Sequence, residues 1–253
     1  CIILVVKTRI IQSHPAMILE EKKKYLVISD LHIGFENTLS SNKVFVGKNS
    51  SIKQITNNVK NLIQEENVKS VILLGDVKSS TQSIYKNEWN DVPYFFDEVK
   101  KMSEVILIPG NHDGNIQKLV PDEILMISSK GIVIDDTLLT HGHTMPSENF
   151  SSVNRIIMGH IHPVFFHDDS LVNGQRVWIS LKTKKDMIFP SMSGEIEITI
   201  LPAFNPYFYA TEKRYYKKAI SPIIEKVKND SIAKIITLDG AIIGNEVELQ
   251  DLL

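Results

Sequence analysis

Histidine is concentrated in the middle of this chain, where it is interspersed with aspartate, asparagine and glycine. Six of the eight histidines fall in five short segments. These are D-L-H at 30–32, G-D at 75–76, G-N-H-D at 110–113, H-G-H at 141–143 and G-H-I-H at 159–162. Imidazole nitrogens mixed with carboxylate and amide oxygens suit Mn²⁺, Fe²⁺ or Zn²⁺ better than Ca²⁺ or Mg²⁺. The pattern therefore indicates a site for borderline divalent cations.

Each of these segments follows a short apolar run that has the length and composition of a β-strand. The runs cover residues 24–29, 70–74, 105–108, 137–140 and 155–158, and each stops where a potential ligand begins. In open α/β sheets, sites form outside the carboxyl ends of the strands. We therefore expect the five segments to converge on one edge, where their glycines let the backbone turn sharply.

The ordered set of D-x-H, G-D, G-N-H-D, H-G-H and G-H-x-H resembles the calcineurin-like metallophosphoesterase superfamily. Within it, D-L-H-I-G at 30–34 and G-D-V-K-S-S at 75–80 are most similar to the small SbcD-related phosphoesterases of archaea. The resemblance implies an α/β (α+β) fold, a two-sheet β sandwich flanked by helices in four layers. We expect a catalytic domain at 1–202 and a C-terminal extension at 203–253 that packs on it.

Carried onto this sequence, the resemblance implies a centre with two divalent ions and seven ligands. The implied ligands are Asp30, His32 and His162 for one ion, Asn111, His141 and His160 for the other, and Asp76 as a bridge between them. Two such ions about 3.5–4 Å apart clamp the attacking and leaving oxygens of an in-line displacement. Mn²⁺ is the expected ion, with Fe²⁺, Zn²⁺ and Ni²⁺ as alternatives.

The resemblance also implies roles for groups that are not ligands. His112 would stabilise the phosphoryl group and protonate the leaving oxygen, with Asp113 orienting its ring. His143 matches a histidine of some branches, for which substrate contact and support of the site both stay open. Lys78 is a candidate for the same two roles, against the simpler interpretation of a solvated loop lysine. No arginine follows Asp76 as it does in protein serine/threonine phosphatases, which disfavours that activity.

Length and composition limit the classes of protein that remain. A chain of 253 residues with 43% hydrophobic and 23% charged residues is ordinary for a globular protein of one large domain. Its single cysteine, Cys1, excludes an internal disulfide and fits a reducing compartment. No apolar stretch approaches the ~20 residues that span a bilayer. We expect a cytoplasmic protein that does not contact membranes and, since it begins with cysteine, one whose start has been trimmed.

Charge gives no support for avid binding to nucleic acid, because the formal net charge is −2. Local basic clusters occur at Lys22–Lys24, at Lys182 with Lys184 and Lys185, and at 213–218, where two tyrosines are interleaved. Solvated surface is the simpler interpretation of each cluster. Lys182, Lys184 and Lys185 are nevertheless the first candidates for contact with phosphates, because they follow the strand after the last ligand segment.

The function that these observations favour is a phosphodiesterase acting on nucleic acid or on nucleotide derivatives, as in a DNA-repair-type nuclease. Single-stranded or end-containing DNA or RNA is the expected partner, since the chain is too short for an extended duplex-gripping module. A phosphomonoesterase or nucleotide pyrophosphohydrolase is the alternative, because the same two ions serve all three reactions. A non-catalytic scaffold is disfavoured by the complete ligand set. The oligomeric state stays open.

The remaining periodicity predicts an α/β alternation followed mostly by strands. Helical spacing of apolar residues predicts helices at 52–66 and 91–102. Further strands are predicted at 2–6, 16–19, 163–167, 176–182, 195–201 and 232–238, with two or three strands within 124–140.

Overall fold

Two β-sheets packed face to face form the centre of the protein. The structure, a computed structural model, describes residues 6–36, 51–81, 83–166, 170–208 and 221–248. The strands in those ranges are β1 (Lys7–Ile10), β2 (Met17–Glu20), β3 (Lys24–Ile28), β4 (Ser70–Leu73), β5 (Glu104–Leu107), β6 (Leu125–Met126), β7 (Ile132–Ile134), β8 (Thr137–Thr140), β9 (Arg155–Met158), β10 (Val164–Phe165), β11 (Gln175–Lys184), β12 (Glu195–Ile200), β13 (Ile232–Thr237) and β14 (Ile242–Glu248). The α-helices there are α1 (Ser51–Glu65), α2 (Glu88–Lys100) and α3 (Pro222–Val227).

The strands divide between a first sheet near the amino terminus and a second, larger sheet. Sheet I has the order β1-β2-β3-β4-β5-β6, and β3 to β6 run parallel to one another. Sheet II has the order β14-β13-β11-β12-β9-β8-β7, with β10 paired to β11. Its β8, β9 and β12 are mutually parallel. Parallel strands place their carboxyl ends at the same edge, so each sheet gathers several strand ends on one side.

Apolar burial arranges the elements in four layers. Helices α1 and α2 bury Ile55, Val59 and Phe95 against the outer face of sheet I. A second apolar cluster, which includes Val27 of β3 and Trp178 of β11, fills the space between the sheets. On the outer face of sheet II, α3 packs in a third cluster. Full burial of each such side chain contributes about 1.5–3 kcal/mol. The predicted two-sheet sandwich flanked by helices is confirmed.

The elements differ from the sequence prediction mainly at their ends. Most of the predicted strand at 2–6 lies outside the described residues, and the first strand found is β1 at 7–10, whose first three residues are exposed and polar. Such a strand carries no apolar signal, and its backbone pairing with β2 defines it. Helix α2 begins at Glu88 rather than Asp91, because its apolar stripe starts only at Val92.

The described residues after 202, at 203–208 and 221–248, continue the fold rather than leave it. Strand β13 pairs with β11 along six residues, and β14 pairs with β13 at the edge of sheet II. The expected division at residue 202 stays a prediction about domains. Among the described residues, no helix has the length and apolar character needed to cross a membrane.

Candidate metal centre

The five segments come together at the carboxyl ends of strands from both sheets. Those after β3, β4 and β5 in sheet I supply the two buried aspartates and the asparagine. Those after β8 and β9 in sheet II supply three of the histidines that surround them. Oxygen ligands therefore come from one sheet and most nitrogen ligands from the other. The site forms only where the two sheet edges meet.

A first group of donors consists of Asp30, His32, Asp76 and His162, whose ligand atoms all lie within 4.8 Å of one another. His162 Nε2 is 3.0 Å from Asp30 Oδ1 and 3.3 Å from His32 Nε2. His32 Nε2 is 3.7 Å from Asp76 Oδ2. All but His162 are fully buried. The group is enclosed by protein and leaves only His162 partly open to solvent.

A second group consists of Asp76, His141 and His160, again with ligand atoms within 4.8 Å. His141 Nε2 is 3.3 Å from Asp76 Oδ2 and 3.1 Å from the side-chain oxygen of Asn111. Asn111 is exposed, whereas the other three are buried. The structure thus brings together the seven residues that the sequence predicted as ligands, in the two predicted groups.

Asp76 belongs to both groups, and the environment of its carboxylate tests whether cations fit there. Its Oδ1 accepts a hydrogen bond from the backbone N–H of His112 at 2.8 Å. Its Oδ2 is buried without a hydrogen-bond partner among the described residues. Imidazole nitrogens surround this oxygen, with Nε2 of His141 at 3.3 Å and Nε2 of His32 at 3.7 Å, and such nitrogens are common ligands of divalent ions. The residues therefore fit a centre in which two divalent ions would share Asp76 as a ligand, and their assignment as ligands stays a prediction.

The backbone is strained at five of the seven predicted ligands. They occupy the left-handed region with positive φ: Asp30 (60°), His32 (40°), Asp76 (51°), His160 (71°) and His162 (50°). Residues other than glycine adopt this conformation rarely and at a cost of order 1–3 kcal/mol. Such strain occurs where a site, rather than the strand itself, dictates the direction of a side chain.

Glycine permits the close approach of these segments. A Cβ added at Gly75 would lie 2.6 Å from both the backbone N of Gly110 and Nδ1 of His141. One added at Gly159 would overlap the hydroxyl of Ser29. Any side chain at either position would push the two sheet edges apart and open the centre.

Backbone acceptors and neighbouring charges set the orientation and the pKa values of the predicted ligands. Nδ1 of His141 lies 2.6 Å from the carbonyl of Leu74, so its Nε2 faces Asp76. Burial opposes the charged form, yet the carboxylate of Asp76 raises the pKa of His141 to about 9. Burial would likewise raise the pKa of Asp30, but His162 and His141 lower it to about 2. A divalent cation bound by His141 would therefore take the place of a proton on its ring.

His112 and Asp113 lie beside Asp76, and the catalytic roles that the resemblance implies for them stay predictions. The ring of His112 is partly exposed, with Nε2 3.9 Å from Asp76 Oδ2 and Nδ1 2.5 Å from the carbonyl oxygen of Ser79. Asp113 is buried and accepts hydrogen bonds from the backbone of Val77 at 2.9 Å and of Gly110 at 2.8 Å. The ring of His112 is therefore held by Ser79, and Asp113 instead joins the two loops that carry the site.

His143 and Lys78, the two residues with open roles, occupy different positions. His143 is half-buried, with its ring centroid 5.3 Å from that of His141, and faces the second group. Lys78 is fully buried, and its ammonium donates to the backbone carbonyl and hydroxyl of Ser80. This burial favours support of the site over substrate contact for Lys78.

Two residues that the sequence did not single out complete the first group. Phe208 stacks on His32 with ring centroids 3.8 Å apart and meets the ring of His162 edge-on at 4.6 Å. The side chain of Asn205 is buried and donates to the backbone carbonyls of Leu31 at 2.9 Å and of His32 at 3.3 Å. Neither residue type signals metal chemistry, so nothing in the sequence indicated their place beside the site.

The described basic clusters lie away from the centre. In the pairing of β11 with β12, Ile179 lies opposite Ile200, which is next to the site. Lys184 lies opposite Glu195, at the other end of the paired region. At about 3.3 Å per residue, Lys184 lies roughly 16 Å further along the sheet. Lys185 is buried and bonded to Asn154. This register places Lys184 toward the end of the sheet that is away from the site, and contact of the cluster with phosphates stays a prediction.

The other two clusters add no positive charge beside the site among the described residues. Lys24 begins β3 at the opposite end of sheet I and bonds to Glu66, and Lys23 pairs with Glu104. The cluster at 213–218 lies outside the described residues.

A family model and solved structures of other proteins match this chain. The family model described as calcineurin-like phosphoesterase matches residues 23–188, which contain all seven predicted ligands. None of the curated proteins compared with the chain matches it. Among solved structures, a nuclease, MPE, from Pseudomonas putida has a TM-score of 0.53 at 17% identity, covering 92% of this chain and 98% of that one.

A second solved structure, the phosphoesterase Yfce from E. coli, has a TM-score of 0.38 at 17% identity, covering 89% of this chain and 98% of that one. At these identities the Pseudomonas putida match shows a shared fold.

Proposed function

The chain belongs to the calcineurin-like phosphoesterase family, and from that premise we propose that it is a divalent-metal-dependent phosphodiesterase acting on nucleic acid or nucleotide derivatives. The observation that carries the proposal is the buried Oδ2 of Asp76, which both donor groups share and which has no hydrogen-bond partner among the described residues. Asp30, His32 and His162 would hold one cation, and Asn111, His141 and His160 the other. Their mixture of nitrogen and oxygen donors favours Mn²⁺, with Fe²⁺, Zn²⁺ and Ni²⁺ as alternatives.

Bound cations supply such a centre with Lewis acidity, neutralising phosphoryl charge and lowering the pKa of the attacking water. The protein itself supplies the shape around them. Asp30, His32, Asp76 and His141 are fully buried, whereas His112 and Asn111 reach solvent. A phosphoryl group therefore approaches from the side of His112 and Asn111.

His112 supports an ester with a poor leaving group as substrate. The alkoxide of a sugar leaves readily only when it is protonated, and a positioned imidazolium contributes about 10²–10⁴-fold. The Nδ1–H of His112 donates to the carbonyl of Ser79, which directs Nε2 toward the open side of the centre. Nε2 is thus placed to deliver its proton to the leaving oxygen while Nδ1 keeps its own.

The fold shared with the Pseudomonas putida nuclease MPE supports nucleic acid as the substrate class. The net charge of −2 and the distance of the described basic clusters argue against a long duplex-binding groove. We therefore propose single-stranded or flexible ends, bound through a few phosphate contacts with strong salt dependence. A cytoplasmic location belongs to the same proposal.

A second candidate, hydrolysis of small phosphomonoesters or nucleotide pyrophosphates, is favoured by one observation. No lysine of the described basic clusters lies beside the centre, and a small substrate needs none. The two candidate activities differ in how much of the substrate, besides the reacting phosphoryl group, the protein must bind.

One assay separates them. Protein loaded with Mn²⁺ is given bis(p-nitrophenyl) phosphate, p-nitrophenyl phosphate, a nucleotide pyrophosphate, single-stranded DNA and blunt duplex DNA at equal concentration. We expect the diester to be cleaved faster than the monoester, and single-stranded DNA faster than duplex. Efficient hydrolysis of the monoester or the pyrophosphate without cleavage of any nucleic acid would replace the proposal by the second candidate.

A further inference from the structure

We propose that Glu88, the first residue of α2, is a positioning residue that sets the orientation of His112 through the backbone at Ser79, an inference that rests on the proposed function. Glu88 is fully buried. Its carboxylate accepts hydrogen bonds from the backbone N–H groups of Ser79 at 3.0 Å, Ser80 at 2.8 Å and Tyr85 at 2.8 Å. It also accepts one from the hydroxyl of Ser80. One side chain thus organises the loop that follows β4.

The peptide unit between Ser79 and Ser80 connects this carboxylate to His112. Its carbonyl oxygen lies 2.5 Å from Nδ1 of His112, and its N–H donates to Glu88 at 2.8 Å. Because a trans peptide is planar, with C=O and N–H pointing in opposite directions, holding one end fixes the direction of the other. Glu88 therefore aims the carbonyl at the imidazole.

The residues around Glu88 compensate the burial of its carboxylate and leave space for its side chain. Burying a carboxylate is costly unless charge and hydrogen bonds compensate it. The buried ammonium of Lys78 supplies that charge, bonded to the hydroxyl of Ser80 that in turn donates to Glu88. A Cβ at Gly34 would lie 3.0 Å from Cγ of Glu88, so the glycine after the first ligand segment leaves room for it.

The consequence for catalysis concerns which nitrogen of His112 faces the substrate. With the carbonyl of Ser79 in place, Nδ1 keeps its proton and Nε2 gives one to the leaving oxygen. If the peptide at Ser79 turned away, the ring would lose the acceptor that orients it. Misplacing a catalytic group by about 1 Å costs on the order of 10²-fold in rate.

The test uses Glu88→Gln, which keeps the size of the side chain but presents amide donors to groups that are themselves donors. The matched control is Asp97→Asn on the exposed face of the same helix. For a methyl or nucleoside phosphodiester we expect Glu88→Gln to lower kcat about 10²-fold with KM nearly unchanged. The loss should shrink for p-nitrophenyl esters, whose leaving group needs little protonation. Asp97→Asn should leave both rates unchanged.

A double-mutant cycle separates positioning from general support of the fold. In a His112→Ala background, Glu88→Gln should change the rate by less than about 2-fold, because residues that act through one another are not additive. An equal loss in both backgrounds, or for both leaving groups, would overturn the inference. Ser80→Ala, which removes one of the bonds to Glu88, gives a milder second variant if Glu88→Gln does not fold.

Ring ¹⁵N shifts of His112 give a readout that does not depend on activity. We expect a proton fixed on Nδ1 in the unmodified protein and in Asp97→Asn, and a mixture of tautomers in Glu88→Gln. Identical tautomers in all three would overturn the inference. A protein that hydrolysed no phosphoester yet showed the expected change at His112 would refute the proposed function while leaving the positioning by Glu88 intact.

Discussion

The two halves of the candidate metal centre differ in how the protein encloses them. The first half, Asp30, His32 and His162, is covered by the ring of Phe208 and backed by the buried side chain of Asn205. In the second half, Asn111, His141 and His160, the two imidazole rings are buried beside the ring of His143, whereas Asn111 is exposed. Charges interact more strongly in a desolvated environment. The enclosed half is therefore suited to holding a cation firmly, and the open half to meeting a substrate.

The largest effect on activity and metal content should come from replacing Asp76, the predicted ligand that the two halves share. Asp76→Asn replaces a carboxylate with a neutral amide, which does not bridge two cations in the same way. We expect turnover to be abolished and at least one ion to be lost, measured by elemental analysis of purified protein. Two retained ions with near-normal activity would show that Asp76 does not join the halves.

His112 is partly exposed, with its ring centroid 4.9 Å from that of His32 and its Nε2 3.9 Å from the shared Asp76, and its removal should affect catalysis without emptying either half. His112→Ala should lower the rate about 10²–10⁴-fold while both ions and the fold remain. Comparing p-nitrophenyl with alkyl esters checks the role, since the alkyl ester depends more on protonation. Equal losses for the two esters would mean that His112 positions the substrate or supports the cations instead.

The cover over the enclosed half can be removed by itself. Phe208→Ala takes away the ring that stacks on His32 and meets His162 edge-on. Groups that orient ligands typically contribute 10–100-fold in metal affinity, so we expect the affinity of one of two Mn²⁺ sites to fall about 10-fold. Calorimetric titration resolves the two sites, and Tyr94→Ala, an exposed aromatic on α2, is the control. Equal weakening at both sites would erase the distinction between the halves.

The smallest effect is expected on the free energy of unfolding, when Asn205 behind the first half of the centre is replaced. Asn205→Ala leaves the carbonyls of Leu31 and His32 without the donor that Asn205 supplies. Losing a buried partner of this kind costs about 1–3 kcal/mol of unfolding free energy. Urea denaturation of this variant, beside the exposed Asn90→Ala, measures the difference. If the two variants unfold alike, Asn205 does not brace the first ligand segment.

The sequence indicated the sheets and the ligand positions because both depend on local patterns. Apolar runs that end on Asp30, Asp76 and His141 predicted strands and site together, and the structure places these residues accordingly. Strand β1 was missed because its residues are polar and its pairing alone defines it. The distance of Lys184 from the site was not predictable, because strand direction, which the order of residues does not reveal, carries it to the opposite end of β11.

Residue type and spacing thus determined that this chain places a set of potential metal ligands at the ends of parallel strands. Ligand chemistry is a property of side chains, and strand ends are a property of short stretches of sequence. Only the tertiary structure decided that Ser79 rather than Asp113 meets the ring of His112, and that Phe208 covers His32. These contacts join residues far apart in the chain through backbone groups and aromatic faces. Every residue has a backbone carbonyl, so its use is visible only once the chain has folded.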